Sequence, residues 1–351
     1  MGGVTGNGHN VRYISSQEGK GHMPVTKKDI ADYLGISRTA VSLVLNNTPN
    51  STISEETRAN ILRAAKELGY RDAEVSPKLC YILCNRSSED PLYVTDLKLI
   101  ERVASRHDYR LLFMNIGSTH KDYTRLEKCL GNKEISGVVL SGDIDERMLD
   151  IMERSGVPYV VFSSLEHDNV NIVEPDVVKI AYECTNHLIA HGHRRIALFS
   201  GKIDTPVHRK SLEGYRKALL DAGIPYDVSL VQVSKEEDGY ELCGRMDALD
   251  IPYTAAFCVN TLIQFGALQR LKDSGVHVPS EKSLIGWGMT DLVRMSMPPL
   301  TAFHIDPAEK ESVIFRLLDV IDGKDEERKR VYLTDVKLFE GGTVAFCRNS
   351  Q

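Results

Sequence analysis

A chain of 351 residues with 42% hydrophobic content has room for two or three globular domains, and its composition excludes fibrous and wholly disordered classes. The net charge of -6 argues against a protein that binds nucleic acid over its whole surface. Residues 1–71, however, hold nine Lys/Arg against six Asp/Glu, a mildly basic head on an acidic body. No apolar run is long enough to span a bilayer, the N-terminus lacks a secretory apolar core, and seven unclustered cysteines suit a reducing cytoplasm.

Residues 1–23 are polar and Gly-rich and read as a disordered extension, with Gly21-His22-Met23 resembling a cloning junction. A head follows over 24–71. Thr26 caps a first helix with Ile30, Ala31 and Leu34 inward, and Gly35 stops it in the left-handed conformation. Ser37 caps a second helix from Arg38 to about Leu45, with Val41, Val44 and Leu45 inward. That spacing is a helix-turn-helix, or on pattern alone an ordinary helical hairpin. Asn46 to Ser51 reads as a loop. A third helix then opens at Ser54 with Ile61, Leu62, Ala65 and Leu68 as its core face, and Gly69 ends it.

Residues 72–78 form a short polar linker. From Leu79 to the end at 351, strand and helix signals alternate. Apolar runs recur at Leu79–Leu83, Arg110–Asn115, Gly137–Leu140, Tyr159–Phe162, Arg195–Ser200, Ala255–Val259 and Ser283–Gly286. Amphipathic helices lie between them, among them Leu97–Arg106, Glu146–Ser155, Val178–His191, Lys210–Ala222 and Leu262–Asp273. Such alternation predicts parallel sheets covered by helices, and the length predicts two lobes. The first lobe is expected at about 79–167 plus 292–318, the second at about 168–291 plus 319–351. A ligand in such a fold sits beyond the carboxyl ends of the strands, where the lobes meet. Cys80 and Cys84 share one strand face and read as packing residues.

The order of these parts resembles the LacI/GalR family of bacterial transcription regulators. Thr26-Lys27-Lys28-Asp29-Ile30-Ala31, Val41-Ser42, Val44-Leu45-Asn46, Glu56-Thr57-Arg58 and Glu67-Leu68-Gly69-Tyr70 are similar to the family's head. Ser136–Leu140, Gly156–Val160, Gly192–Ala197, Val278-Pro279, Gly286 and Pro298–Thr301 are similar to its body. The resemblance implies an all-α head on a periplasmic-binding-protein-like α/β body. It also implies a cytoplasmic homodimer that binds double-stranded operator DNA as a repressor and answers to a small-molecule effector, with no cofactor, metal or membrane involved. The alternative is a cytoplasmic small-molecule sensor whose head has weakened or lost DNA binding.

By resemblance, Arg38, Thr39 and Leu43 face base edges, while Thr26, Ser37, Ser42 and Asn46 face phosphates; helix capping or a solvated surface is the plainer alternative for each. Arg38 can offer a bidentate donor pair to guanine. Leu43 replaces the family's usual Arg and can at most touch a thymine methyl. Only eight residues separate Tyr70 from Leu79, without leucine and with Pro77, so the family's minor-groove hinge helix is expected to be absent.

In the cleft, Ser211 stands where sugar-binding members carry Arg, three residues before Gly214-Tyr215, and Arg209 and Lys210 are the nearest bases. Asn260 stays, but its Asp partner is Thr261, and Gly286–Met289 lacks the usual carboxylates. That shortage argues against a simple monosaccharide. It leaves an aromatic or less polar effector resting on Trp287, with Tyr93, Arg209 and Asn260 as further candidates, or no effector at all. An enzyme is not indicated. Gly201-Lys202 lacks the spacing of a P-loop and no Ser/His/Asp arrangement is suggested; His191-Gly192-His193 has the look of a metal pair, but the resemblance puts it at a helix end, where histidine suits the dipole.

Overall fold

The computed structural model describes residues 25–45, 53–70, 77–131, 134–324 and 327–348. The expected extension (1–23), most of the expected linker (72–76) and Asn46 lie outside the described residues. The chain divides into two compact units, Met1–Ser76 and Pro77–Gln351.

The head holds α1 (Lys27–Leu34), α2 (Arg38–Leu45) and α3 (Glu55–Leu68). A reciprocal capping box starts α1. The Asp29 N–H donates to the Thr26 hydroxyl at 3.3 Å, and the Asp29 carboxylate accepts the Thr26 N–H at 2.7 Å. Gly35 then turns the chain at φ 66°, which a side chain would resist. Ser37 starts α2 by accepting the Ala40 N–H at 3.1 Å. The core joins Ile30, Ala31, Val41, Val44, Ile61, Ala64 and Ala65. Leu62 does not join it, being 49% exposed. Ala64, Ala65 and Leu68 lie three, four and seven positions beyond Ile61 and share its face, whereas Leu62 is turned about 100° away.

The body alternates as expected. Its first part is β1 (Lys78–Cys84), α4 (Pro91–Arg106), β2 (Arg110–Ile116), α5 (His120–Gly131), β3 (Ile135–Gly142), α6 (Glu146–Ser155), β4 (Tyr159–Val161) and β5 (Ile172–Pro175). The second part is α7 (Val177–Ala190), β6 (Ile196–Ser200), α8 (Pro206–Asp221), β7 (Val231–Val233), α9 (Gly239–Ala248), β8 (Ala255–Cys258), α10 (Thr261–Asp273), β9 (Ser283–Trp287), α11 (Asp291–Met295) and β10 (Thr301–Ile305). Then follow α12 (Pro307–Lys310), α13 (Ser312–Ile321), β11 (Arg330–Leu333) and β12 (Val336–Phe339).

Two six-stranded sheets result, ordered β11-β5-β4-β3-β1-β2 and β12-β10-β9-β8-β6-β7. All pairs are parallel except β10 with β12. Strand order reverses between β1 and β3 in one sheet and between β6 and β8 in the other. Each reversal opens a crevice at the carboxyl ends of those strands.

The lobe limits differ from the expected ones. β5 lies in the first sheet, although the sequence reading places 168–291 in the second lobe. β10 lies in the second sheet although 292–318 is expected in the first, and β11 in the first although 319–351 is expected in the second. The chain therefore crosses between lobes near 176, 306 and 334. The first sheet gains its outer edge because β11 pairs with β5 from Arg330↔Ile172 to Leu333↔Pro175. Lys78 opens β1 rather than closing the linker.

Cys80 and Cys84 sit on one face of β1, fully buried against Tyr123, Leu126 and Met148, and burial pushes both thiols up to about 12. Gly214 lets α7 and α8 touch, since a Cβ there would stand 2.2 Å from the Val178 carbonyl oxygen. Among the described residues no helix is long and apolar enough to cross a membrane.

Candidate functional site

On the head, the capped start of α2 places Arg38 and Thr39 in its first turn, both exposed. Ser37 is exposed and caps α2, and Thr26 is exposed and caps α1, so both hydroxyls serve the helix ends. Ser42 and Leu43 are half-buried on the next turn, and Leu43 lies outside the apolar cluster that joins the three helices. A helix start exposed in this way offers N–H groups and a guanidinium to an anionic backbone or a base edge.

In the body, both crevices open into one cleft of about 100 Å³ between the sheets. Arg86 follows β1 and Asp143 follows β3, one on each side of the first reversal. His208 on α8, Glu237 ahead of α9 and Asn260 at the start of α10 come from the second sheet's side. Arg86 crosses the cleft and donates to Glu237 at 2.5 Å. Its Nε lies 3.0 Å from the Asp143 carboxylate, near enough to pair the charges but not aligned as a hydrogen bond.

Glu237 also accepts from Asn260 at 2.8 Å and from His208 Nε2 at 3.1 Å. The Gly201 N–H donates to Nδ1 of His208, which assigns the ring proton to Nε2. Burial opposes the charge on Glu237, but the His208 hydrogen bond and the Arg86 charge outweigh it and hold the carboxyl at about 2. Deeper in, Asp96 pairs with Lys310 at 2.8 Å. At the hinge, fully buried Glu174 is held by Lys210 at 2.7 Å and Arg330 at 2.6 Å.

Tyr93, Asn260 and Trp287 line the cleft. Arg209 does not. It reaches away to Glu166 and the Asp204 carbonyl, because its place on α8 faces the loop after β4. Ser211 is fully buried and returns its hydroxyl to the Val207 carbonyl of its own helix. The expected shortage of charged partners does not hold either. Arg86, Asp90, Asp143 and Glu237 supply guanidinium and carboxylates from positions that reading the family's usual sites one by one overlooks. Arg86 and Asp143 could be found from the strand ends alone, since they follow directly on predicted strands. Glu237 could not, because β7 and α9 around it give weak patterns. His193 is buried in a structural network with Thr254, Ser283 and the Ala345 carbonyl.

Comparison with known proteins agrees with both parts. Residues 26–72 match the family described as bacterial regulatory proteins, lacI family. Residues 76–293 match periplasmic binding proteins and sugar binding domain of LacI family. The HTH-type transcriptional repressor PurR of Pasteurella multocida (strain Pm70) is 28% identical over 315 residues, covering 86% of this chain and 94% of that protein. PurR of Vibrio atlanticus (strain LGP32) is 28% identical over 337 residues, covering 91% and 98%. A solved transcriptional regulator CelR-cellobiose complex superposes with TM-score 0.69 at 26% identity, over 91% of this chain and 99% of its own. The lac repressor dimer bound to operator and the anti-inducer ONPF shares the fold, with TM-score 0.68 at 22% identity over 92% and 100%. With the head and more than half of the chain in the body each matched, the chain belongs to the LacI family of bacterial DNA-binding transcriptional regulators.

Proposed function

We propose that this regulator is a cytoplasmic repressor that binds a two-fold operator as a homodimer and is controlled by a small molecule in the interlobe cleft. The observation that carries the reading is the capped start of α2, which presents Arg38 and Thr39 to solvent on a compact head. Arg38 and Thr39 read base edges, Leu43 at most a thymine methyl, and Thr26, Ser37, Ser42 and Asn46 lie along phosphates. The named function of the PurR relatives supports repression, and the lac repressor complex supports a dimer on operator. The seven residues between Tyr70 and β1 reach roughly 23–25 Å when extended, enough for two heads to straddle a site without a minor-groove wedge. A strong central kink in a DNA-bending assay would contradict that part.

The effector is a small molecule other than a plain monosaccharide, on a ground different from the one the sequence offered. The cleft has charged groups, but Arg86, Glu237, His208, Asn260, Asp96 and Lys310 are engaged with one another, and the walls are Tyr93, Phe162 and Trp287. Gel shift on the DNA upstream of its own gene tests the DNA reading. Specific binding should weaken with a slope of about -0.9 per phosphate contacted as salt is raised. Retention of a folded body with no specific shift at any salt would favour a sensor that has lost DNA binding.

A further inference from the structure

The cleft carries a charge imbalance and an unanswered donor. Its lining holds four carboxylates, Asp90, Asp96, Asp143 and Glu237, against two cations, Arg86 and Lys310. His208 is engaged at both ring nitrogens, by the Gly201 N–H and by Glu237. Lys310 is taken by Asp96, and Arg86 is shared between Glu237 and Asp143. Among the described residues Asp90 forms no ion pair, although the Arg86 charge acts on it from nearby. One of its oxygens accepts the Leu92 N–H at 2.9 Å as the cap of α4. Burial, with Glu237 and Asp96 as like charges nearby, pushes its carboxyl above the ordinary range. Trp287 is 7% exposed and forms part of the wall, and its indole N–H has no acceptor. An unpartnered buried N–H carries a desolvation cost, which an incoming acceptor would relieve. Tyr93 and Phe162 add aromatic surface.

We propose that the effector is a small organic cation with a flat or apolar body, whose ammonium or amidinium group sits against Asp90 while an acceptor atom takes the Trp287 indole N–H. This rests on the interlobe cleft being the effector site. A cation there reduces the charge imbalance, and a charge-assisted bond to a half-buried carboxylate is about twice as strong as a neutral one. The Arg86 and Glu237 charges both act on Asp90, so ligand entry bears on a charge pair that ties the two sides of the cleft, Arg86 to Glu237.

The test uses the full chain and three probes of one skeleton: tyramine, 4-hydroxyphenylacetamide and 4-hydroxyphenylacetate, with glucose as a fourth. Trp287 is the only tryptophan, so its fluorescence reports the cleft alone. Tyramine should give a saturable change with affinity about tenfold above the amide and further above the acetate. Asp90→Asn should abolish that preference. Asn caps a helix as well as Asp does, so α4 keeps its start and only the charge is lost. Equal or tighter binding of the acetate, a response to glucose with none to tyramine, or no saturable response to any probe would each overturn the proposal. Gel shift in the same samples separates the two ideas. A glucose-dependent shift with tyramine silent would leave the effector-controlled repressor standing and remove only the cationic class.

Discussion

Replacing Glu237 by Gln removes one charge from the cleft and keeps the shape and hydrogen-bonding reach of the side chain. The carboxyl is held at about 2 in the fold against an ordinary value near 4.5, so folding favours its ionised form by about 2.5 pKa units, or ~3 kcal/mol at pH 7. The contribution is fully present above pH 4.5 and is lost as pH falls toward 2. The body, Pro77–Gln351, has about 270 residues, and at roughly 2.1 cal/mol/K per residue the loss lowers Tm by ~6 °C. Thermal unfolding of wild type and E237Q, followed by Trp287 fluorescence, should show that gap at pH 7 and less than half of it at pH 3. A gap of under 1 °C at pH 7, or one that stays constant down to pH 3, would refute the account of Glu237 as a paired, buried anion.

Arg38→Ala should weaken operator binding by about 1–3 kcal/mol and flatten preference at one base pair, read by gel shift on single-base operator variants. Leu43→Arg should instead add a salt-dependent contact, seen as a steeper slope against salt concentration. Gly214→Ala should force α7 and α8 apart and lower the body's Tm by several degrees without touching operator contacts, because the new Cβ meets the Val178 carbonyl. His193 is held below its ordinary value by burial, so it stabilises the fold above pH 6.5 and that share is lost as pH falls through its lowered value. His193→Gln should remove this part of the pH dependence below pH 6.5 in urea unfolding, and an unchanged slope would count against it.

The parts of the fold that the sequence makes legible are those whose burial is continuous. β1, β3, β6, β8 and β9 are buried on both faces and read as unbroken apolar runs. Four of the five strands that escape reading carry charge or lie at sheet edges, interior β10 being the exception. β5 includes Glu174 and Pro175, β11 begins at Arg330, and β12 alternates Val-Lys-Leu-Phe on the outer edge of its sheet. Glu174 looks like a surface residue until Lys210 and Arg330 are brought to it from far along the chain. The cleft shows the same limit. Trp287, Asn260 and Tyr93 could be found by position, but the Arg86–Glu237 pair spans 151 residues and exists only once both sheets have formed.

The three crossings near 176, 306 and 334 also govern how the molecule can be made. The second and third crossings are tied together, since Glu309 accepts the Thr334 and Asp335 N–H groups at 2.8 Å each and Asp306 N–H donates to the Asp335 carbonyl. Beyond residue 329 the chain gives one edge strand to each sheet, β11 to the first and β12 to the second. On the ribosome, neither sheet can be completed until nearly the whole chain has emerged. A stop codon near 325 would therefore cripple both lobes at once rather than trim one, and neither lobe can be cut out as a contiguous gene fragment.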